Sequence, residues 1–487
     1  MKSKLFIPLA VLAFPVAGIV FVSGYYNQLP KDRVVEGIIG QPRNLHPLKV
    51  LNNPVDEDIV SLLYRSLFSY SVEGELLPDL AESYSVSADN LVYTILLRKD
   101  VRWHDGKPFT ADDVIYTALH HPELEQVKVD KLSDYEVRYV LAEVYAPFPD
   151  LLTISIAPEH ISLESPPLTA VGTGDFAVSM IDPAPNFIQA IHLKRVNHFN
   201  KGRINSLILR FYNDRSEMQT ALFLGEIDVY AGEIIGYPGF STKVASLKGD
   251  NYAIYINLRK GGLLADIDFR KALAASTPRG IIANQVLGGR YNVIDGPIHD
   301  TWATETDIER YFFDADVSPQ YEGKFTLVIP DTEDNRKVGE VLKEAWGRLG
   351  IEIKVKAMSA QDLEERVLKT RDFDFVLLGR EVGHDPDRYS YWHSTQVDYP
   401  GANLSGYKQV RVDKALEKGR QTLDKGERKE HYSLFQKLIS SDVPAIFLYQ
   451  PRYFFTVRDT LQEVDLRDVY SPRDRYKSIN NWRIVTQ

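Results

Sequence analysis

The chain has 487 residues, too many for one compact hydrophobic core, so more than one globular unit is expected. Hydrophobic residues make up 44% of it, which excludes a disordered chain, and 57 basic against 67 acidic residues give a net charge of −10 without a basic block, which argues against nucleic acid as a partner. The absence of cysteine excludes disulfides, thiol catalysis and cysteine-ligated metals, and with them a tether through a lipid-modified cysteine.

In chain order, Lys2 and Lys4 precede an uncharged apolar run from Leu5 to Gly24, followed by polar Tyr25-Tyr26-Asn27-Gln28. Val22-Ser23-Gly24 supplies the small residues a signal peptidase needs, yet the run is close to the roughly 20 residues of a spanning helix, so residues 1–30 read as a signal peptide or a membrane anchor. Further on, Tyr93, Ile95 and Leu97 alternate as in a strand, and Asp105-Gly106 is a turn pair. Thr110 and Asp113 form a capping box ahead of Val114, Ile115 and Ala118, which predicts a helix start and gives these residues a structural role.

From Lys324 to Gly379 the periodicity changes twice. An apolar run at Phe325–Ile329 gives way to helical spacing at Val338, Val341, Leu342, Ala345 and Leu349, with Gly350 as the stop. Ile351, Ile353 and Val355 then alternate; Ser359 and Asp362 cap a helix bearing Leu363, Val367 and Leu368; Phe373 to Leu378 reads as a buried strand. This β-α-β-α-β pattern predicts a sheet with parallel neighbours, whose ligands sit beyond the strand C-termini. The loop that follows, Gly379 to His393, concentrates charged, aromatic and turn residues and is read as a binding surface.

No hydrolase elbow, phosphate-binding loop or His-Glu-x-x-His is present. The pair His120-His121 reads as ordinary surface histidine. Asp112-Asp113 and Asp385/Asp387 are carboxylate pairs of the kind used in glycoside hydrolysis, but neighbouring carboxylates seldom converge on one substrate atom.

Several stretches together carry a resemblance. They are Leu77-Pro78-Asp79-Leu80-Ala81-Glu82-Ser83-Tyr84, Leu91 to Arg98, and Val101-Arg102-Trp103-His104-Asp105-Gly106-Lys107-Pro108-Phe109-Thr110-Ala111-Asp112-Asp113-Val114. To these are added the turn Val171-Gly172-Thr173-Gly174-Asp175-Phe176, the unit Ala221 to Asp228, the segment Asp266 to Leu273 and the return strand Val443 to Tyr449. Over about residues 34 to 460 the chain resembles the family 5 extracytoplasmic solute-binding proteins of ABC importers, the dipeptide, oligopeptide and nickel binders.

That resemblance implies an α/β fold of the two-lobed periplasmic-binding-protein type (class II, cluster C) with an interlobe cleft and a hinge, plus the N-terminal hydrophobic helix. The expected division is 31–257 for the first lobe, with a subdomain at about 70–165, then 258–448 for the second lobe and 449–487 for the return to the first, with crossings near Asn257 and Tyr449. It further implies peptide capture without catalysis or cofactor, delivery to an ABC permease in the membrane, a monomer, and an extracytoplasmic location, secreted or held by the N-terminal helix. An oligosaccharide binder of the same fold and a secreted glycosidase are the alternatives. The charged anchors that hold peptide termini in dipeptide binders fall here at Ile329-Pro330-Asp331 and near Val382, and neither is present in register. The expected ligand residues are Asn44, Asn257, Arg380, Glu381, Asp385, Tyr389, Trp392 and Asn403, the charged ones as substitutes for the missing anchors.

Overall fold

The computed structural model describes residues 32–50, 53–196, 203–232, 237–298, 302 and 308–485. The apolar run Leu5 to Gly24, and with it the expected N-terminal helix, lies outside the described residues. Among the described residues no helix is long and apolar enough to cross a membrane.

A single strand, Ala445–Arg458, runs through both lobes. Its first half pairs antiparallel with Asp250–Ile256, and its second half pairs with Phe240–Ser246 and Val229–Ala231. Beyond Val229–Ala231 the first-lobe sheet continues through Arg33–Ile39, Ser206–Tyr212, Phe187–Arg195 and Phe176–Ala184. Beyond Asp250–Ile256 the second-lobe sheet continues through Phe375–Glu381, Gly323–Pro330 and Ile351–Met358. The last three strands are mutually parallel at their junctions, joined by the helix Glu333–Gly347 and by helical turns across Ala360–Leu368, as the β-α-β-α-β pattern requires.

Both faces of the second-lobe sheet are covered. Ala253, Tyr255, Val328, Val376 and Phe447 pack into one core, while Ile254, Ile256, Leu327, Ile329, Phe375 and Leu377 pack into another. Two-sided burial is why these strands read as nearly continuous apolar runs rather than alternating ones. It also corrects the expected lobe boundary. Asp250–Ile256 takes its ladder bonds from Phe375–Glu381 and so belongs to the second lobe. The first crossing therefore lies at Leu247-Lys248-Gly249, one strand ahead of Asn257, and the return crossing runs inside Ala445–Arg458.

A smaller four-stranded antiparallel sheet, in the order Ala81–Val86, Val92–Leu97, Glu136–Val140 and Lys128–Ser133, carries the helix Ala111–His120. Thr110 and Asp113 form both halves of the capping box. Asp113 also accepts hydrogen bonds from the Trp103 indole at 3.1 Å and the Glu159 amide at 3.0 Å, so its carboxylate is used inside the subdomain.

The C-terminal tail is locked to the first lobe by a buried ion network. Arg475 donates to Glu36 at 2.8 Å and to both oxygens of Asp58 at 2.7 and 2.8 Å, and the Tyr476 hydroxyl donates to Glu36 at 2.8 Å. Arg475 is 2% exposed and Glu36 0%, so the single cation serves two dehydrated carboxylates. Burial pushes Glu36 up, and Arg475 pulls against it.

Candidate functional site

A cavity of about 470 Å³ lies at the interface of the lobes. Its wall is first-lobe and tail structure, including Arg65, Tyr70, Asp150, Gly174, Arg473 and Lys477, and it meets the second lobe at Gly383 and His384. The hairpin Phe68–Tyr70 with Leu76–Pro78 presents Tyr70, and the short helix Phe148–Leu151, preceded by Pro147, presents Asp150. The Gly172-Thr173-Gly174 turn is glycine-rich for a steric reason. A Cβ on Gly172 would lie 1.7 Å from the Leu63 carbonyl oxygen, and one on Gly174 would lie 2.4 Å from that of Leu62. The turn thus seats directly on the C-terminal end of the helix Pro54–Leu63, where the Gly174 amide donates to Leu63 O at 2.8 Å.

His384 is the second lobe's insertion into this wall. Its ring stacks on Tyr70 at 3.7 Å on one side and on Tyr470 at 3.7 Å on the other. Its Nε2 lies 3.1 Å from Asp468, which also holds Lys248 at 2.9 Å and Lys477 at 3.1 Å. Burial lowers the His384 pKa, against the upward pull of Asp468. For Asp468, burial pushes up, but the His384 hydrogen bond and the two lysines prevail and hold it well below the usual carboxylate range. Asp150 goes the other way. Burial pushes it up to about 6 against the hydrogen bond donated by Tyr70, and the charge of Asp385 adds to the rise.

A second bridge closes the rim. The Ala146 amide donates to Arg420 O at 2.7 Å, and the Arg420 guanidinium sits 5.2 Å from the Tyr145 ring and 4.0 Å from that of Tyr389. Asp387 fixes Arg420 with hydrogen bonds of 2.7 and 3.0 Å. Both lobes therefore touch at the histidine and at the arginine, with the cavity beside them.

None of the residues nominated from sequence lines this cavity. Asn257, 1% exposed, donates to the carbonyls of Arg371 and Phe373, both at 2.8 Å, and Asn403, 0% exposed, donates to those of Trp392, His393 and Tyr407. Trp392 packs on Tyr255 and Phe447 in the second-lobe core. Asp385 is held in a bidentate pair by Arg428, both bonds 2.8 Å, and Arg380 lies between the rings of Tyr255 and Tyr391 while donating to Ala402 O. Tyr389 stacks on His393. Asn44 makes a local turn, accepting from the His46 amide, on a loop anchored by Asp56.

Glu381 differs from these. It is exposed, and its negative charge reaches Glu57 of the first lobe, whose carboxyl is raised by burial, lowered by Arg473 and raised by Asp58 and Glu381. The loop after Phe375–Glu381 was singled out from sequence, but its members that line the cavity are Gly383 and His384, between the nominated Glu381 and Asp385. Tyr70, Asp150 and Arg473 carried no sequence signal of their own, because each sits in an unremarkable local context and gains meaning only by meeting the others. Among the described residues no group of three or more His, Asp or Glu is placed to hold a metal ion.

Comparison with known proteins places this architecture. The oligopeptide-binding protein AppA of Bacillus subtilis is 24% identical over 510 residues, covering 92% of this chain and 91% of its own. The structure of HbpA2 from Haemophilus parasuis superposes with a TM-score of 0.80 at 19% identity, covering 93% of this chain and 100% of that one. DppA from Helicobacter pylori, in complex with the peptide STSA, gives a TM-score of 0.69 at 20% identity, with 93% and 98% covered. The family model of the bacterial extracellular solute-binding proteins, family 5 (middle region), matches residues 75–400, two thirds of the chain. On that match, with a two-lobed sheet architecture and an interlobe cavity beneath it, the chain belongs to the family 5 bacterial extracellular solute-binding proteins.

Proposed function

We propose that the protein captures peptides in the interlobe cavity and delivers them to an ABC permease in the membrane, without performing chemistry on them. The observation that carries this reading is the cavity itself: it is lined from both lobes, and among the described residues the chain passes between those lobes at the turn Leu247-Lys248-Gly249 and within the strand Ala445–Arg458. Such linkages permit hinge closure, and a ligand bridging both walls selects the closed state. The naming of AppA as an oligopeptide-binding protein and the peptide in the Helicobacter pylori complex support peptide as the solute class.

Of the nominated residues, Glu381 is retained as a contact for ligand that extends beyond the cavity, with a carboxylate that forms no hydrogen bond or ion pair among the described residues and whose charge reaches Glu57 of the first lobe. The protein is proposed to act as a monomer outside the cytoplasmic membrane, with residues 1–30 as signal or anchor. Native mass spectrometry of the purified protein, followed by denaturation, tests the reading. A set of co-purifying peptide masses supports it. A sugar mass moves the protein to oligosaccharide binding, and failure to bind any member of a peptide mixture overturns peptide capture.

A further inference from the structure

We infer that the slot now filled by the His384 ring is a subsite for an imidazole side chain of the ligand, which enters between Tyr70 and Tyr470 when the lobes part and replaces His384 as the group that bridges them. This rests on the interlobe cavity being the ligand site and on peptide being the solute.

The slot belongs to one side of the cleft and its occupant to the other. Tyr70 comes from the hairpin Phe68–Tyr70 with Leu76–Pro78 and donates to Asp150. Tyr470 comes from the tail, its amide donating to Asp474 at 2.8 Å and its carbonyl accepting from Gly249 at 3.0 Å. Each tyrosine is thus held by contacts that do not involve His384. The loop after Phe375–Glu381 supplies the ring between them. Opening the cleft withdraws that ring and leaves two aromatic faces turned toward each other, which regain their stacking only by taking up another flat ring. Tyr70, His384 and Lys477 all line the cavity, so the vacated slot opens onto the space where a ligand sits.

Its geometry and its edge select imidazole. The His384 ring centroid lies 3.7 Å from those of Tyr70 and Tyr470, with interplanar angles of 8° and 26°, so a saturated or branched side chain is too thick to enter. At the edge, Nε2 is 3.1 Å from Asp468 and 3.4 Å from Lys477. A ring nitrogen can donate to the first or accept from the second, and a phenyl ring can do neither. The Lys248 ammonium lies 5.7 Å from the Tyr470 ring and that of Lys477 lies 5.9 Å from the Tyr70 ring, so both tyrosines already have a cation and a ligand ammonium gains less there than a neutral ring. Burial holds the His384 pKa below its ordinary value, in keeping with a slot that takes imidazole uncharged. The protein's own histidine is the template for the ligand group, and the two compete for one place.

The test is isothermal titration of the intact protein with Ala-His-Ala, Ala-Phe-Ala, Ala-Lys-Ala and trialanine. The same titrations are run on His384→Ala and Tyr470→Ala, with thermal melts to confirm that each variant is folded. The wild type is expected to bind Ala-His-Ala about tenfold or more tightly than the other three. His384→Ala removes the competing ring and should raise the affinity for Ala-His-Ala by a larger factor than that for trialanine. Tyr470→Ala should bring Ala-His-Ala down to the level of trialanine. Saturation-transfer NMR of His384→Ala with free imidazole, and with pyrrolidine as a saturated ring of similar size, reads the slot without a peptide and without the tyrosine variant; imidazole should bind and pyrrolidine should not. Equal affinity for Ala-His-Ala and trialanine in the wild type and in His384→Ala overturns the inference while leaving peptide capture standing. So does imidazole that binds His384→Ala no better than pyrrolidine, and so does Ala-Phe-Ala binding as tightly as Ala-His-Ala, since Asp468 and Lys477 would then take no part. Absence of any peptide both here and in the native mass spectrum overturns the inference and the peptide reading together.

Discussion

Two clusters of charge hold the C-terminal tail, and they are built from the same kinds of residue for different ends. In the first, Arg475, Glu36, Asp58 and Tyr476 all belong to one lobe, and the side chains of Arg475 and Glu36 are 2% and 0% exposed. In the second, Asp468 and Lys477 of the tail and Lys248 of the crossing meet His384 of the other lobe, and His384, Lys248 and Lys477 keep 16%, 23% and 13% exposure. A network within one lobe is never rehydrated during function, so its ions can be fully buried once they satisfy one another. A network across a cleft must separate each time the cleft opens, and partial hydration lowers the cost of separating it. The first cluster fixes the tail, and the second can register whether the lobes are together.

The largest effect is expected from breaking the first cluster. Arg475→Ala leaves Glu36 and Asp58 as buried carboxylates without a cation, costing about 3–5 kcal/mol of stability. Urea unfolding should show a clear drop in midpoint, and a midpoint close to wild type would mean that the tail is not held by this ion network.

His384→Ala acts on the second cluster and should leave the fold intact. It removes two ring stacks and the contact with Asp468, worth about 1–3 kcal/mol of the closed state. Small-angle scattering of the ligand-free variant should show a larger radius of gyration at an unchanged melting temperature. A lower melting temperature with no change in radius would make His384 a fold residue instead of a closure residue.

The smallest effect is a pH dependence. In the closed state burial depresses the His384 pKa, so relative to an open state titrating near the ordinary value of about 6.5, protonation favours opening. This contribution to closure is present above about pH 6.5 and is lost as pH falls through that window. The groups facing the ring are Asp468, Lys477, Asp474, Tyr70 and Tyr470, and Asp468 stays ionised throughout. Asp150, pushed up to about 6 by burial with Asp385 adding, titrates nearby with the opposite sign, since its protonation favours the buried environment. Interlobe fluorescence transfer between pH 7.5 and 5.5 should therefore report opening on acidification in the wild type. In His384→Ala the response should vanish or reverse. An identical response in both would remove the histidine from the mechanism.

How much of this was legible in the chain follows from how local each feature is. The capping box of Thr110 and Asp113, the strand face of Tyr93, Ile95 and Leu97, and the alternation of strand and helix from Gly323 to Glu381 rest on neighbours a few residues away, so spacing revealed them. The loop after Phe375–Glu381 was expected at the cleft because parallel sheets place their ligand loops beyond strand C-termini, and its Gly383 and His384 line the cavity. Within it, the residues with the strongest chemical character proved to be structural. Asp385 is neutralised by Arg428 on a later helix, and Arg380 is enclosed by Tyr255 and Tyr391. A charged side chain signals its chemistry in the sequence, but not whether a partner already occupies it.

The lobe boundary shows the same limit. Asp250–Ile256 is buried on both faces, so its pattern does not tell which lobe supplies its neighbours, and the crossing was expected one strand too late. By itself the sequence determined the solute-binding architecture and the loop that faces the cleft, because periodicity, capping and turn residues act over short range. Only the tertiary structure decided that His384 is the side chain reaching across, and that Arg428 and the rings of Tyr255 and Tyr391 already occupy Asp385 and Arg380. Those assignments depend on which distant groups are already paired, a property of the packed molecule and not of any one segment.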